Sequence, residues 1–243
     1  MLLVGCASGR TAPLSYACPR APATVSIDGS LDEWKGAPWT ERFRDIEGEK
    51  GVPFATRAKL MWDARYLYVA AHLEQPHLAG KLTKRDSVIY KDDDFEVFLD
   101  PSGRGVNYFE LEINALGTVF DLTLTKAYSK GGKANHGFDF EGMRTAVSRQ
   151  GTLNDPSDVD RGWTVEIAIP WTAFRGFARP ARNDTWRLNF SRVEWPKKVV
   201  DGHYENDVDT SKPLWLQPLN WTWSPQWEIS MHLPRHWGYL HFR

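Results

Sequence analysis

Apolar and polar residues alternate with a period of two in many separate stretches of this chain. The alternating stretches lie at 58–62, 67–73, 95–99, 109–113, 163–169 and 186–190. Because side chains point to opposite faces along a β-strand, this period predicts strands with one buried face. Turn-forming Gly, Asn, Asp and Pro residues fill the segments between them, and helical periodicity is poor. The long, polar segment 196–213 is predicted to be a loop. The sequence therefore predicts an all-β fold, an antiparallel β-sandwich of jelly-roll or immunoglobulin-like type with long loops.

The composition is that of a globular domain with enough apolar surface for a core. Of 243 residues, 42% are hydrophobic and 25% are charged, and the formal net charge is −1. A nearly neutral chain without a basic stripe argues against nucleic acid as the partner and against a polybasic membrane surface. The sequence contains no apolar run of the roughly 18 residues that would predict a membrane-spanning helix.

We interpret residues 1–22 as a signal or lipobox remnant with a tether, and residues 23–243 as the folded domain. Leu3-Val4-Gly5-Cys6 resembles a bacterial lipobox, which predicts lipidation of Cys6. The basic segment and full apolar stretch of a signal peptide are missing before it. We expect an exported protein, either an outer-membrane lipoprotein or a periplasmic or extracellular one, that meets a membrane only through its lipid. A short-loop disulfide between Cys6 and Cys18 is the alternative.

Tryptophans are concentrated near the end of the chain. Five of the twelve are Trp215, Trp221, Trp223, Trp227 and Trp237, several of them close to prolines. A flat indole suits the C–H face of a pyranose ring, so exposed members of this group would favour a sugar ligand. The alternative for any single Trp is a place in the core, with its N–H bonded to a partner.

Polar residues occupy one side of two predicted strands. Glu110, Glu112 and Asn114 share a side of one strand, and Arg187 and Asn189 share a side of another. If these strands lie close together, their faces would offer carboxylate, amide and guanidinium groups to sugar hydroxyls. Cross-strand ion pairs on a solvated face are the equally weighted alternative.

Several motifs in order resemble those of carbohydrate-binding module family 9. They are IDGSLDEW (27–34), MWD (61–63) with YLYV (66–69), DDDFEVFLDP (92–101), YFELEINALGT (108–118), GWTVEIAIP (162–170) and PRHWG (234–238). The resemblance implies a β-sandwich that holds a sugar between two aromatic side chains, with polar residues bonding the hydroxyls and calcium ions bracing loops. It also implies a role beside xylan-degrading and related hydrolases, so a glycoside hydrolase is an expected partner of the glycan-bound protein.

By position, the resemblance places Tyr90 near the first stacking ring, Glu96 near an acidic sugar contact and Asn114 near an amide contact. The chain departs from the pattern at two places, because Glu112 stands at an expected arginine and Met231 at the expected second ring. Neighbouring residues are candidates to fill these roles. The remaining predicted ligand-binding residues are Arg192, Glu194, Trp195, Trp223 and Trp227.

Calcium is the cofactor that the sequence predicts. Ca²⁺ prefers hard oxygen ligands from acidic loops, and Asp28, Asp32 and Asp63 lie near predicted strand ends. The acidic run 92–94 is a further candidate, with a solvated strand end as its alternative.

Two other functions remain open at this point. Glycoside hydrolysis requires two convergent carboxylates, and the available ones are Glu96, Glu110, Glu112, Glu166 and Glu194. Haem binding on a Met/His pair would draw on Met61, His72, Met231 or His232. We expect non-catalytic binding of a polysaccharide or oligosaccharide in extracellular glycan catabolism, with hydrolysis as the main alternative.

Overall fold

The computed structural model describes residues 10–48 and 50–243, and in that part of the chain it is a β-sandwich, which confirms the predicted fold class. The strands are β1 (Ser15–Cys18), β2 (Arg44–Asp45), β3 (Thr56–Trp62), β4 (Tyr66–Glu74), β5 (Asp94–Asp100), β6 (Val106–Asn114), β7 (Val119–Lys126), β8 (Ala134–Asn135), β9 (Arg144–Gln150), β10 (Gly162–Pro170), β11 (Thr185–Glu194), β12 (Lys197–Val200), β13 (His203–Asn206), β14 (Leu219–Thr222) and β15 (Gly238–Phe242).

Helical structure in the described residues is limited to short 3-10 turns. They lie at Asp32–Gly36, Ile89–Lys91, Tyr128–Lys130, Trp171–Ala173, Leu214–Leu216 and Pro234–His236. None of these helices is long and apolar enough to cross a membrane.

Two sheets form the layers of the sandwich. The larger sheet has nine strands in the order β1-β15-β11-β5-β6-β7-β8, and β14 joins it through β11 and pairs with β2. The smaller sheet has the order β3-β4-β10-β9. Pairing is antiparallel in both sheets, except that β1 runs parallel to β15. A separate hairpin joins β12 to β13.

The core lies between the two sheets and follows the predicted alternation. Phe95, Val97 and Leu99 of β5 point inward, and the smaller sheet contributes residues such as Val165 and Ile167 of β10. All five side chains are buried. Alternate residues of the larger sheet must then face away from this core, which places the acidic residues of β5 and β6 together on its outer face.

Two boundaries differ from the sequence-based expectations. Strand β1 lies inside the predicted tether 1–22, and its Tyr16 and Cys18 belong to the core. The folded domain therefore begins before residue 23, because β1 adds to the edge of β15. The segment 196–213, expected as a loop, contains the β12–β13 hairpin. Cys6 lies outside the described residues, and its lipidation stays a prediction.

Candidate functional site

A groove of about 530 Å³ lies on the outer face of the larger sheet. It is lined by Ile46, Tyr90, Glu96, Phe98, Glu110, Glu112, Tyr128, Val193, Trp215, Pro218, Asn220, Ile229, Ser230, Met231 and His232. The lining combines aromatic rings with carboxylate, amide and imidazole groups. Such a mixture of apolar walls and a few polar groups is typical of a small-molecule site.

The floor of the groove comes from the alternation of β5 and β6. Glu96 pairs in register with Glu112, and Phe98 pairs with Glu110. Asp94 lies one step further along the same face of β5 and pairs with Asn114, beside the groove. All four carboxylates are buried, each at most 5% exposed. The strand period thus collects four acids on one small area of the sheet.

Burial perturbs the proton equilibria of these acids. It raises the pKa of Glu96 to about 7. Burial, followed by repulsion from neighbouring carboxylates, also raises the pKa values of Asp94, Glu110 and Glu112. Both effects disfavour the ionised form, and like charges on adjacent strands reinforce each other. The floor therefore holds acid groups that favour either a proton or a positive partner.

Aromatic rings form the walls. Trp215 is 56% exposed and Tyr128 is 48% exposed, so both offer open ring faces. Tyr90 is partly exposed and is fixed by its backbone, because Trp195 donates its Nε1–H to the Tyr90 carbonyl at 2.8 Å. The Tyr90 amide donates to Glu112 Oε2 at 2.9 Å. This hydrogen bond connects the wall at Tyr90 to the floor at Glu112.

A histidine occupies the end of the groove near β6. His232 Nδ1 lies 3.0 Å from the Tyr108 hydroxyl, and the Tyr128 ring meets the imidazole edge-on at 4.6 Å between centroids. Burial lowers the pKa of His232 to about 4. The imidazole is therefore neutral near pH 7, and it can both donate and accept a hydrogen bond.

Tyr90 and Glu96 are the two predicted ligand-binding residues that line the groove. Asn114 was also expected to meet ligand, but it is fully buried next to the floor. Its Nδ2 donates to the Leu82 carbonyl and to Asp92 Oδ2, at 2.9 and 3.0 Å. Both amide hydrogens of Asn114 therefore brace a loop, and its contact with ligand stays a prediction.

Arg192 and Glu194 form a buried ion pair at 2.8 Å instead of facing the groove. The Arg192 guanidinium also bonds Thr56 Oγ1 and lies over the Trp221 ring, with 4.6 Å to the centroid. Neither residue lines the groove. Their polar atoms bond each other and Thr56 on the core side of β11, and their contact with sugar hydroxyls stays a prediction.

The three predicted tryptophans do not present open faces to the groove. Trp195 is buried and supports Tyr90, as described above. Trp223 is 0% exposed, lies in the core and donates its Nε1–H to Glu41 at 2.8 Å. Trp227 is partly exposed but packs against Gly48 outside the groove lining. The ligand-binding role of these three rings stays a prediction.

Trp215 and Tyr128 are exposed rings that line the groove, and neither was among the predicted ligand-binding residues. Trp215 stands between prolines in a 3-10 turn, and this setting was the available signal, because a proline-flanked turn cannot enter a sheet ladder. For Tyr128 no local signal existed. Met231 lines the groove at the position where the family pattern predicts a ring.

The aspartates predicted to bind calcium lie in two turns, Asp28 and Asp32 in one and Asp63 in the other. Asp28 accepts from the Ser30 amide, and Asp32 accepts from the Ser30 hydroxyl. Asp63 accepts from two backbone amides and from the Tyr68 hydroxyl, on a different turn. Within the described part of the chain, the three do not form a group whose oxygens lie within 4.8 Å of one another. Their calcium role stays a prediction.

Two groups of three carboxylates do converge among the described residues. One is Asp86, Asp121 and Asp139; the other is Asp94, Glu96 and Glu112. The second group lies at the groove floor. Of the haem candidates, Met61 is fully buried beneath the outer face of the smaller sheet, whereas Met231 and His232 line the groove.

The chain is similar in sequence to a known domain family and to parts of known enzymes. A family model described as carbohydrate family 9 binding domain-like matches residues 27–222. Exoglucanase XynX of Acetivibrio thermocellus is 27% identical over 201 residues, which cover 82% of this chain and 15% of the exoglucanase. Endo-1,4-beta-xylanase A of Thermoanaerobacterium saccharolyticum is 30% identical over 151 residues, covering 62% of this chain and 11% of the xylanase. The chain thus corresponds to a small part of these relatives.

The same fold occurs in a solved carbohydrate binding module. The family 9 module of Caldicellulosiruptor kristjanssonii in complex with cellotriose superposes with a TM-score of 0.60 at 17% identity, covering 94% of this chain and 93% of that one. Identity this low shows the shared fold alone. Because the family model spans most of the chain, the protein belongs to the carbohydrate family 9 binding domain-like family, as its motifs predicted.

Proposed function

We propose that this protein binds carbohydrate without cleaving it, and that the glycan occupies the groove on the outer face of the larger sheet. The observation that carries the proposal is the joint presence of open rings and polar groups. Trp215 and Tyr128 offer apolar faces, while Glu96 and His232 offer hydrogen-bonding atoms in the same groove. A pyranose has matching surfaces, with C–H groups on its face and hydroxyls at its rim.

The groove volume suits a short segment of glycan. A volume of about 530 Å³ falls within the usual range of small-ligand sites, roughly 300–1,000 Å³. Cellotriose is the sugar bound by the solved family 9 module, and the relatives are named as a glucanase and a xylanase. Oligosaccharides of β-1,4-linked glucose or xylose are therefore the first ligands to try on this chain.

A glycan array followed by calorimetry tests the proposal. We expect binding of one glycan class, and a loss of at least about 10-fold in affinity for Trp215→Ala, since a central aromatic contact contributes about 1.4 kcal/mol or more. Trp39→Ala is the matched control. Trp39 is a partly exposed indole outside the groove, against Arg57 and Lys59. Equal loss in both variants would contradict a site in the groove.

Hydrolysis is the second candidate because acids converge in the groove. A retaining or inverting hydrolase needs one protonated and one ionised carboxyl group on either side of the bond. Here Glu96, Glu110 and Glu112 lie on one sheet face, and the pKa of each is raised. One-sided placement favours binding over cleavage. New reducing ends that disappear in Glu96→Gln would instead identify a hydrolase.

The proposal has three further parts, which are export with a lipid anchor, a partner hydrolase and bound calcium. Export fits the glucanase and xylanase relatives, and a lipid at Cys6 would hold the groove at a cell surface. A partner hydrolase would gain local substrate from a bound glycan. Calcium at the Asp28–Asp32 loop or at Asp63 would stiffen turns of the smaller sheet. Metabolic labelling with a fatty acid, lost in Cys6→Ser, tests the anchor.

A further inference from the structure

The two converging acidic groups differ in whether a cation balances their charge. Asp86, Asp121 and Asp139 surround Arg85, whose Nη2 lies 2.6 Å from Asp139 Oδ1 and also bonds Asp121. This group therefore already contains its cation. An arginine among three carboxylates leaves no need for a metal ion.

The group at the groove floor has no such partner. Asp94, Glu96 and Glu112 place one oxygen each within 4.8 Å of one another, and all three are buried. No Lys, Arg or His nitrogen forms an ion pair with them among the described residues. The nearby cations are already engaged, Arg192 with Glu194 at 2.8 Å and Lys197 with Asp93 at 2.6 Å.

Unused acceptor atoms are a second, independent observation at this place. Asp94 is 1% exposed, and its Oδ1 accepts from the Val193 amide at 3.1 Å. Its Oδ2 has no hydrogen-bond partner in the described part of the chain. The same holds for Glu110 Oε2 on the neighbouring strand. A buried carboxylate oxygen without a partner is costly, so a missing partner is expected there.

We propose that Asp94, Glu96 and Glu112 form a divalent-cation site in the groove floor, with Ca²⁺ as the ion that fits best. The donor set is made only of carboxylate oxygens, which hard cations prefer. An ion between the three side chains would satisfy Asp94 Oδ2 and cancel the repulsion between adjacent strands. Glu110 lies on the same face of β6, two residues before Glu112, but it does not belong to the group of three converging carboxylates.

The site has a consequence for ligand binding, which rests on the proposed function. Glu96 and Glu112 line the groove, so an ion held between them is reachable from it. Ca²⁺ takes about 6–8 oxygen ligands, more than three side chains readily supply. Adjacent hydroxyls of a sugar would complete the coordination and place the ring between Trp215 and Tyr128.

Calorimetric titration of chelator-treated protein with CaCl₂ tests the site without any glycan. We expect the double variant Asp94→Asn/Glu112→Gln to bind one Ca²⁺ fewer than wild type. Ca²⁺ at about 100 times its Kd should raise the wild-type Tm by roughly 5–10 °C, and this rise should vanish in the variant. The variant folds without the ion, because amides remove the like charges.

Asp139→Asn is the matched control, because it removes a carboxylate from the group that Arg85 already balances. It should keep the wild-type number of bound Ca²⁺ ions. Equal Ca²⁺ stoichiometry and equal Tm response in wild type and in the double variant would overturn the proposal, and would mean that the buried acids are simply protonated.

Cellotriose titrations with Ca²⁺ or with chelator test the coupling. We expect chelation to weaken wild-type binding at least 10-fold and to leave the double variant unchanged. Ca²⁺ binding with cellotriose affinity independent of chelator would refute coordination of the sugar. Calcium binding with no glycan bound on the array would refute the proposed function, while the calorimetric count would still support the cation site.

Discussion

Trp223 and Trp215 have opposite surroundings, and replacing each with alanine should have opposite effects. Trp223 is 0% exposed, lies 6.1 Å from the Phe190 ring between centroids and donates to Glu41. Truncating a buried aromatic costs about 3–5 kcal/mol, including the cavity left behind. For a chain of this length, that free energy corresponds to a fall in Tm of roughly 6–20 °C.

Trp215→Ala should change the free energy of unfolding by no more than about 0.5 kcal/mol, because most of the ring is already in solvent. Differential scanning calorimetry and a glycan titration on both variants measure the two effects. We expect Trp223→Ala to lose stability and keep its affinity below its Tm, and Trp215→Ala to do the reverse. A Trp223→Ala variant with wild-type Tm and weakened glycan binding would refute the assignment of that ring to the core.

Three further substitutions test other parts of the structure. Glu166→Ala should cost at least about 3 kcal/mol by urea unfolding, since its buried carboxylate accepts from the Asp28 and Gly29 amides and from Trp34 Nε1; a change below 1 kcal/mol would contradict this. Gly162→Ala, at φ +135° and against the Leu73 carbonyl, should lower the yield of folded protein, seen by circular dichroism; normal folding would argue against that close approach. The low pKa of His232 means that the unfolded state binds a proton first, so its contribution is complete above about pH 6.5 and is lost as pH falls towards 4. Wild type should therefore lose about 2 kcal/mol more than His232→Gln between pH 7 and 4.5, and parallel pH profiles would show that the imidazole is not desolvated.

The local alternation of apolar and polar residues was sufficient to predict the long strands. It was insufficient to predict the short strands at the edges of the fold. The alternation of Phe95, Val97 and Leu99 predicts β5 because a period of two is a property of the segment itself. Strand β1 has only four residues, and its burial depends on β15 at the other end of the chain. The sequence around β1 does not indicate that β15 pairs with it. The hairpin in 196–213 was missed for a related reason, since its strands are mostly exposed.

The candidate site was predictable where a residue belongs to a regular strand or lies next to one. Glu96 must point away from a face that holds Phe95 and Val97, and Tyr90 immediately precedes the acidic strand. Arg192 and Glu194 lie two residues apart on the same side of β11, and they form an ion pair at 2.8 Å. Sequence spacing cannot show that two polar side chains bond each other instead of a ligand.

By itself the sequence determined an all-β sandwich of this family and an acidic, outward-facing strand, because periodicity and motif order are carried by neighbouring residues. The tertiary structure decided which indoles are open to solvent. Trp223 and Trp215 lie in the same tryptophan-rich part of the chain, but Trp223 packs in the core after β14 and Trp215 lines the groove from the 3-10 turn Leu214–Leu216. It also decided that Asp94, Glu96 and Glu112 converge, since strand register, set by long-range pairing, fixes which carboxylates meet.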